Sequence, residues 1–241
     1  MKKISSGIPG MDDLLYGGFL EGKSILLTGT CGTGKTTFAA QFVMGGFKNK
    51  ESCVFITFEQ EVNKLIEDMS SVNVNFKDMI KKKKLAVIGG PLGQVSFFKK
   101  KTKALVEDII NEIIEVVENM RASRVVIDSI NLFNMLFEND SERRNAMTLL
   151  TSKLSELNCT TLLISEVPEN SKRLGWFGFE DFVVDGVIKV SREMNENRCF
   201  RTINVIKMRG SPIIADLREM EINKKGVLIS SRKLPSSSSL F

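Results

Sequence analysis

Histidine is absent from the 241 residues. That removes Ser–His and Cys–His nucleophilic catalysis and zinc sites built on Cys/His spacing. The four cysteines, Cys31, Cys53, Cys159 and Cys199, are scattered without a C-x-x-C pair. They read as reduced, mostly buried thiols of a reducing compartment rather than as a disulfide framework. Long apolar runs are missing too. Stretches such as Ser24–Thr28 and Arg124–Ile130 fall far short of the roughly 20 residues needed to cross a bilayer. Met1–Gly10 carries two lysines and no apolar h-region, so it does not read as a signal peptide. A cytoplasmic protein without a membrane span is expected.

Strong charge is also lacking. The net +5 permits binding to a polyanion without arguing for it. Much of it lies in two runs, Lys81–Lys84 and Lys99–Lys101, around a stretch containing Gly and Pro. These read as solvated loop or helix-end lysines rather than a nucleic-acid patch.

What is present alternates. Ser24–Thr30, Ser52–Phe58, Leu85–Ile88, Arg124–Asp128 and Thr160–Ser165 are short, continuously apolar strand candidates. Helical segments separate them: Lys35–Phe47, a helix from about Val62, Thr102–Met120 with Leu105, Ile109, Ile113, Val116, Val117 and Met120 at helical spacing, and Ser141–Leu157. Buried strands alternating with helices predict an α/β fold with a mostly parallel sheet covered on both faces. After residue 182 the character changes. Phe182–Arg192, Cys199–Lys207 and two pieces around Asn223–Gly226 predict an antiparallel extension of the same sheet. The expectation is one domain over 1–234 and a disordered tail over 235–241, where Pro235–Ser239 is too small and polar to pack.

Gly29-Thr30-Cys31-Gly32-Thr33-Gly34-Lys35-Thr36 fits G-x-x-x-x-G-K-[ST], between an apolar strand and a helix that includes Thr37. The glycines let the backbone curl so that N–H groups converge on phosphate oxygens, and the helix N-terminus adds favourable dipole charge. Lys35 then reaches the β- and γ-phosphates, and the Thr36 hydroxyl ligates Mg²⁺. Asp128 ends the apolar strand Val125-Val126-Ile127, where an acidic residue lies close to that metal. Cys31 inside the loop reads as a small filler. A carboxylate is still needed to orient and deprotonate the attacking water. Glu59, ending the strand Ser52–Phe58, is a general-base candidate. On residue type alone it is equally a helix N-terminal acid.

These residues resemble the KaiC-type branch of the RecA superfamily of P-loop ATPases. The likeness includes the lead-in Ser6–Asp12 with Gly17-Gly18-Phe19 and Gly22, Val54–Glu61, Phe179–Val190 and Lys207-Met208-Arg209-Gly210. Four ordered motifs spread over nearly the whole chain carry it. The resemblance implies a RecA-like core, ATP as the nucleotide, Glu59 as the catalytic glutamate, and a homohexameric ring with ATP between neighbours. It implies that Lys207 and Arg209 reach the γ-phosphate held by the adjoining subunit. Two departures stand out. The family often pairs two glutamates, and here the second position is Gln60, an amide that can position water but cannot take its proton. The best-known member is a tandem with an autophosphorylated second half, and an autokinase role does not carry over to one domain.

The expected function is Mg-dependent ATP hydrolysis by a ring-forming switch acting on a protein partner. Two alternatives stay open: a DNA-binding recombinase-like ATPase, and an ATP sensor that does not hydrolyse, motivated by Gln60. Against DNA, the segments expected to line a ring are acidic. Asn131–Glu142 holds Glu138, Asp140 and Glu142 without Lys or Arg, and Glu166–Phe182 has four acids against Lys172 and Arg173. Met135, Phe137, Trp176 and Phe177 in these segments read as exposed protein-contact residues. A small-molecule kinase would want an arginine-rich lid, which the sequence does not offer.

Overall fold

The computed structural model describes residues 2–90, 106–169, 171–195 and 198–234. The lysine run 99–101, the start of the helix expected from Thr102 and the tail 235–241 lie outside the described residues. The elements in chain order are β1 (Lys3–Ile4), α1 (Met11–Leu14), β2 (Phe19–Leu20), β3 (Ser24–Gly29), α2 (Lys35–Lys48), β4 (Cys53–Thr57), α3 (Val62–Ser70), α4 (Phe76–Lys81), β5 (Leu85–Gly89) and α5 (Val106–Met120). They continue with β6 (Arg124–Asp128), α6 (Ile130–Asn134), α7 (Asp140–Glu156), β7 (Thr160–Glu166), α8 (Glu180–Val183), β8 (Gly186–Asn195), β9 (Arg198–Met208), β10 (Arg218–Asn223) and β11 (Gly226–Lys233).

One nine-stranded sheet runs in the order β11-β10-β9-β8-β3-β7-β6-β4-β5. From β8 to β5 every neighbour is parallel, and β8 to β11 are antiparallel. This is the predicted parallel core with an antiparallel extension. The reason is legible in burial: β3, β4 and β6 are buried at every position, which only a sheet covered on both faces allows. One apolar layer packs Phe38, Phe42 and Val43 of α2 against Ile25, Leu27 and Phe55. The other packs Ile110 and Ile113 of α5 and Met147 and Leu150 of α7 against Val125, Ile127 and Leu163.

Arg124 is an unusual member of this core, wholly inaccessible. Its guanidinium donates to Glu51 at 2.5 Å and to the Phe42 carbonyl at 2.9 Å and lies 4.7 Å over the Phe42 ring. It is therefore paired at each face where burial alone would leave it costly. The lead-in, which includes β1 and β2, docks on α2, and Gln41 fastens it. The Gln41 amide donates to the carbonyls of Gly7 and Val227 and accepts from the Val227 N–H.

Two expectations of the sequence are corrected. The strand expected from Phe182 begins only at Gly186, because Glu180 builds a turn first. Its buried carboxylate accepts the N–H groups of Phe177 and Phe179 and opens the short α8. Asn131–Glu142 does not expose all of the apolar residues expected to be exposed there. It contains α6 and the first turn of α7, and Phe137 is buried with its ring 5.2 Å from Phe133. An exposed contact role for Phe137 is thus excluded, and Phe177 is half-buried beneath the Arg143 guanidinium at 4.8 Å. Met135 and Trp176 are exposed as expected.

Candidate functional site

The carboxyl edge of the parallel strands carries the site. β3 ends at Gly29 and the chain turns through Thr30–Gly34 into α2. Gly29 is demanded by close approach of backbone, and Gly34 by its own left-handed backbone. A Cβ on Gly29 would stand 2.2 Å from the Val190 carbonyl oxygen, and one on Gly34 would stand 2.2 Å from the Ile222 Cδ1. Gly32 and Gly34 also have φ of +71° and +95°, a region open to glycine without penalty. No side chain caps α2 at Gly34. The first N–H groups of a helix lack intrahelical partners, so this start suits a polyanion.

Lys35 is buried and its ammonium is turned back on the loop. It donates to the Gly29 carbonyl at 3.0 Å and the Thr30 carbonyl at 2.8 Å. Thr33 closes the same turn by donating to the Thr30 carbonyl at 2.9 Å. Cys31 and Gly32 are exposed at its crest, and Thr37 lies half-buried in the first turn of α2. Burial lowers the Lys35 pKa, and the carboxylates of Glu166, Asp128 and Glu59 act against that shift.

Asp128 sits at the end of β6 and accepts the Thr36 hydroxyl at 2.8 Å. Burial pushes its carboxyl up to about 7, and the charge of Glu59 adds to the effect. The Thr36 hydrogen bond and Lys35 oppose it. A carboxylate so poorly compensated favours a cation beside it. Glu59 is exposed just beyond β4, which pairs with β6 through Thr57 and Asp128. The Phe58 N–H extends that pairing to the Asp128 carbonyl at 2.7 Å. The N–H groups of Glu59 and Gln60 both lie 3.4 Å from the Thr57 hydroxyl, so the Thr57 side chain fixes this turn. Lys35, Thr36, Asp128, Glu59 and Gln60 are thereby gathered at one edge.

Glu166 was missed by sequence reasoning as a site residue. Its carboxylate stands 3.8 Å from the Lys35 ammonium, and the next residue, Val167, donates its N–H to the Gly29 carbonyl. Asn131 donates to the Glu166 carbonyl at 2.8 Å and accepts the Ser165 hydroxyl. The signal was an acid ending an apolar strand, the same signal that marked Asp128. It became decisive only once β7 was known to lie between β3 and β6.

Lys207 and Arg209 are elsewhere. Val187 pairs with Lys207, and Gly186 pairs with both Met208 and Ile25. They therefore stand at the amino edge, displaced from Gly29 by about four residues or roughly 13 Å along the strand direction, and two strands away. Lys207 donates to the Asp181 carbonyl, and Arg209 to the Phe182 carbonyl at 3.0 Å. Neither belongs to the phosphate loop of its own chain.

A family model described as "ATPase: KaiC" matches residues 4–234. The chain belongs to the KaiC ATPase family. It is 32% identical to a UPF0273 protein of Methanopyrus kandleri over 97% of this chain and 94% of that one. It is also 32% identical to the circadian clock oscillator protein KaiC of Thermosynechococcus vestitus over 88% of this chain, but spans only 41% of that protein. The crystal structure of a KaiC-like protein from Pyrococcus horikoshii superimposes with a TM-score of 0.83 at 33% identity, covering 95% of this chain and 99% of that one. The fold of this KaiC-family chain is thus a RecA-like core with an antiparallel extension, and its family supports ATP binding. Among the described residues no helix is long and apolar enough to cross a membrane.

Proposed function

We propose that the protein binds Mg-ATP in the Gly29–Thr36 loop and hydrolyses it, as a cytoplasmic ring-forming switch that acts on a protein partner. The observation that carries the reading is the Thr36–Asp128 hydrogen bond beside a buried Lys35. A hydroxyl and a poorly compensated carboxylate are the oxygen donors a hard cation takes. Among the described residues no group of three or more Cys, Asp or Glu is placed to hold a metal by itself. The remaining ligands would be phosphate oxygens and water, as magnesium prefers. Bound there, the ion supplies charge that neutralises the phosphate oxygens.

The chain's own residues have distinct tasks in this reading. The N–H groups of the loop, with Thr37 in the following turn, cradle the phosphates. Lys35 exchanges the carbonyls of Gly29 and Thr30 for phosphate oxygens. Glu59 accepts the proton of the attacking water as the bond from water oxygen to the γ-phosphorus forms and the bridging bond to the β-phosphate breaks. Gln60 helps to position that water. Lys207 and Arg209 of an adjoining copy spread the charge developing on the transferred group. Their place at the opposite edge suits a role in trans.

Gln60 favours a second reading, an ATP-gated assembly module with negligible turnover. Mg-dependent ATP hydrolysis measured across protein concentrations separates the two, with Lys35→Ala and Glu59→Gln as controls. Turnover that rises more than linearly with protein and is lost in both variants supports the ring ATPase. Wild type matching Glu59→Gln while still binding ATP supports the sensor.

A further inference from the structure

The underside of the phosphate loop rests on the antiparallel extension, and there two arginines face each other. Arg192 of β8 and Arg201 of β9 are directly opposed in register. They continue the stripe of Ile188, Val190, Ile203 and Val205, which is buried on the α2 side of the sheet. Arg201 donates through Nη2 to the Gly32 carbonyl at 3.3 Å, and its Nε is buried without a hydrogen-bond partner. Arg192 Nη1 lies 3.8 Å from where a Cβ on Gly32 would stand. Its Nη2 lies 3.7 Å from the Cys199 sulfur.

The neighbouring arginines on β9 and β10 are neutralised. Arg198 pairs with Glu219 at 2.8 Å, and Arg218 pairs with Asp216 at 3.2 Å. Arg192 and Arg201 have no carboxylate partner among the described residues. Like charges opposed across a strand pair repel, so the arrangement favours an anion nearby. Beside it a cleft of about 450 Å³ opens between Gly29 and Thr30, Val167 and Pro168, and Arg192.

We infer that Arg201 is a positioning residue for the triphosphate, working through the loop backbone, and that Arg192 adds charge to the same end. This rests on the reading of the loop as a nucleotide site. The Gly32 carbonyl and the Thr33 N–H belong to one planar peptide and point in opposite directions. A guanidinium on the carbonyl fixes that peptide and polarises it, which makes the Thr33 N–H a stronger donor. Other outward carbonyls of the loop already have donors: Gly29 has Val167 and Lys35, and Thr30 has Thr33 and Lys35. Arg201 does the same for Gly32 from β9, and its effect grows with the negative charge of the ligand.

The test is displacement of a fluorescent ATP analogue by ATP and by ADP from the full chain, alongside melting without nucleotide. Arg201→Gln is expected to weaken ATP about tenfold, as for loss of a charged hydrogen bond. It should weaken ADP less, and leave the nucleotide-free melting temperature within about 3 °C. Arg201→Lys should recover most of the ATP affinity, and Arg192→Gln should weaken ATP by a smaller factor. Arg201→Gln binding like wild type overturns the inference. So does a variant that loses ATP and ADP equally while its melting temperature falls, since that marks a purely structural strut. If wild type binds neither nucleotide while folded, the reading of the site itself fails and takes this inference with it.

Discussion

Replacing Glu166 by Gln should tighten ATP binding. The Lys35 ammonium is 3.8 Å from the Glu166 carboxylate, and in the proposed reading a phosphate must compete for that ammonium. At this separation the gross attraction is about 4 kcal/mol for an effective dielectric of about 20. The side chains are 7% and 40% exposed, so water on the Glu166 side screens most of that energy. About 1 kcal/mol survives as a net pairing energy. Removing the charge while keeping the shape therefore lowers the ATP Kd about fivefold. Competition titration with a fluorescent ATP analogue at fixed ionic strength reads this directly. Raising the salt to about 0.5 M should shrink the gap between wild type and variant. A Glu166→Gln protein that binds ATP more weakly would refute the argument. Glu166 would then be engaging the nucleotide, its metal or the attacking water rather than competing for Lys35.

Three further outcomes follow from the geometry. Gly29→Ala must push a methyl into the Val190 carbonyl and should destabilise the fold by about 3 kcal/mol, read as a lowered urea midpoint. Glu51→Ala strands the inaccessible Arg124 guanidinium and should cost about 3 kcal/mol, whereas Arg124→Met removes both charge and need and should cost less. Burial pushes the Cys53 and Cys159 thiols up to about 12 and about 11, so at pH 8 both stay protonated. A thiol reagent such as Ellman's should then titrate two sulfurs, the exposed Cys31 and Cys199, in native protein and four after denaturation.

The parts of the site legible in the sequence were those fixed by local chemistry. The glycines and Lys35 of the phosphate loop, and Asp128 closing an apolar strand, declare themselves because each is tied to its own strand end. The alternation of buried strands and helices declared the parallel core for the same reason. Other features needed the register. Glu166 became a neighbour of Lys35 only through the insertion of β7 beside β3. Arg192 and Arg201 met under Gly32 only through the pairing of β8 with β9. The failures share a cause as well. Phe137 carries no sign of burial until its contact with Phe133 is known. The delayed start of β8 depends on a single carboxylate, Glu180, capturing two N–H groups.

The separation of the phosphate loop from Lys207 and Arg209, at opposite edges of one sheet, gives the chain a polarity. If its site is completed by a neighbour, the contact is heterologous: the donor face of each copy meets the acceptor face of the next. Such a contact repeats without end unless its rotation closes on itself, in a ring rather than a filament. Each copy then serves two sites and owns neither. Subunits defective at Lys35 and subunits defective at Arg209, inert apart, would restore working sites when mixed, at the junctions where two intact faces meet.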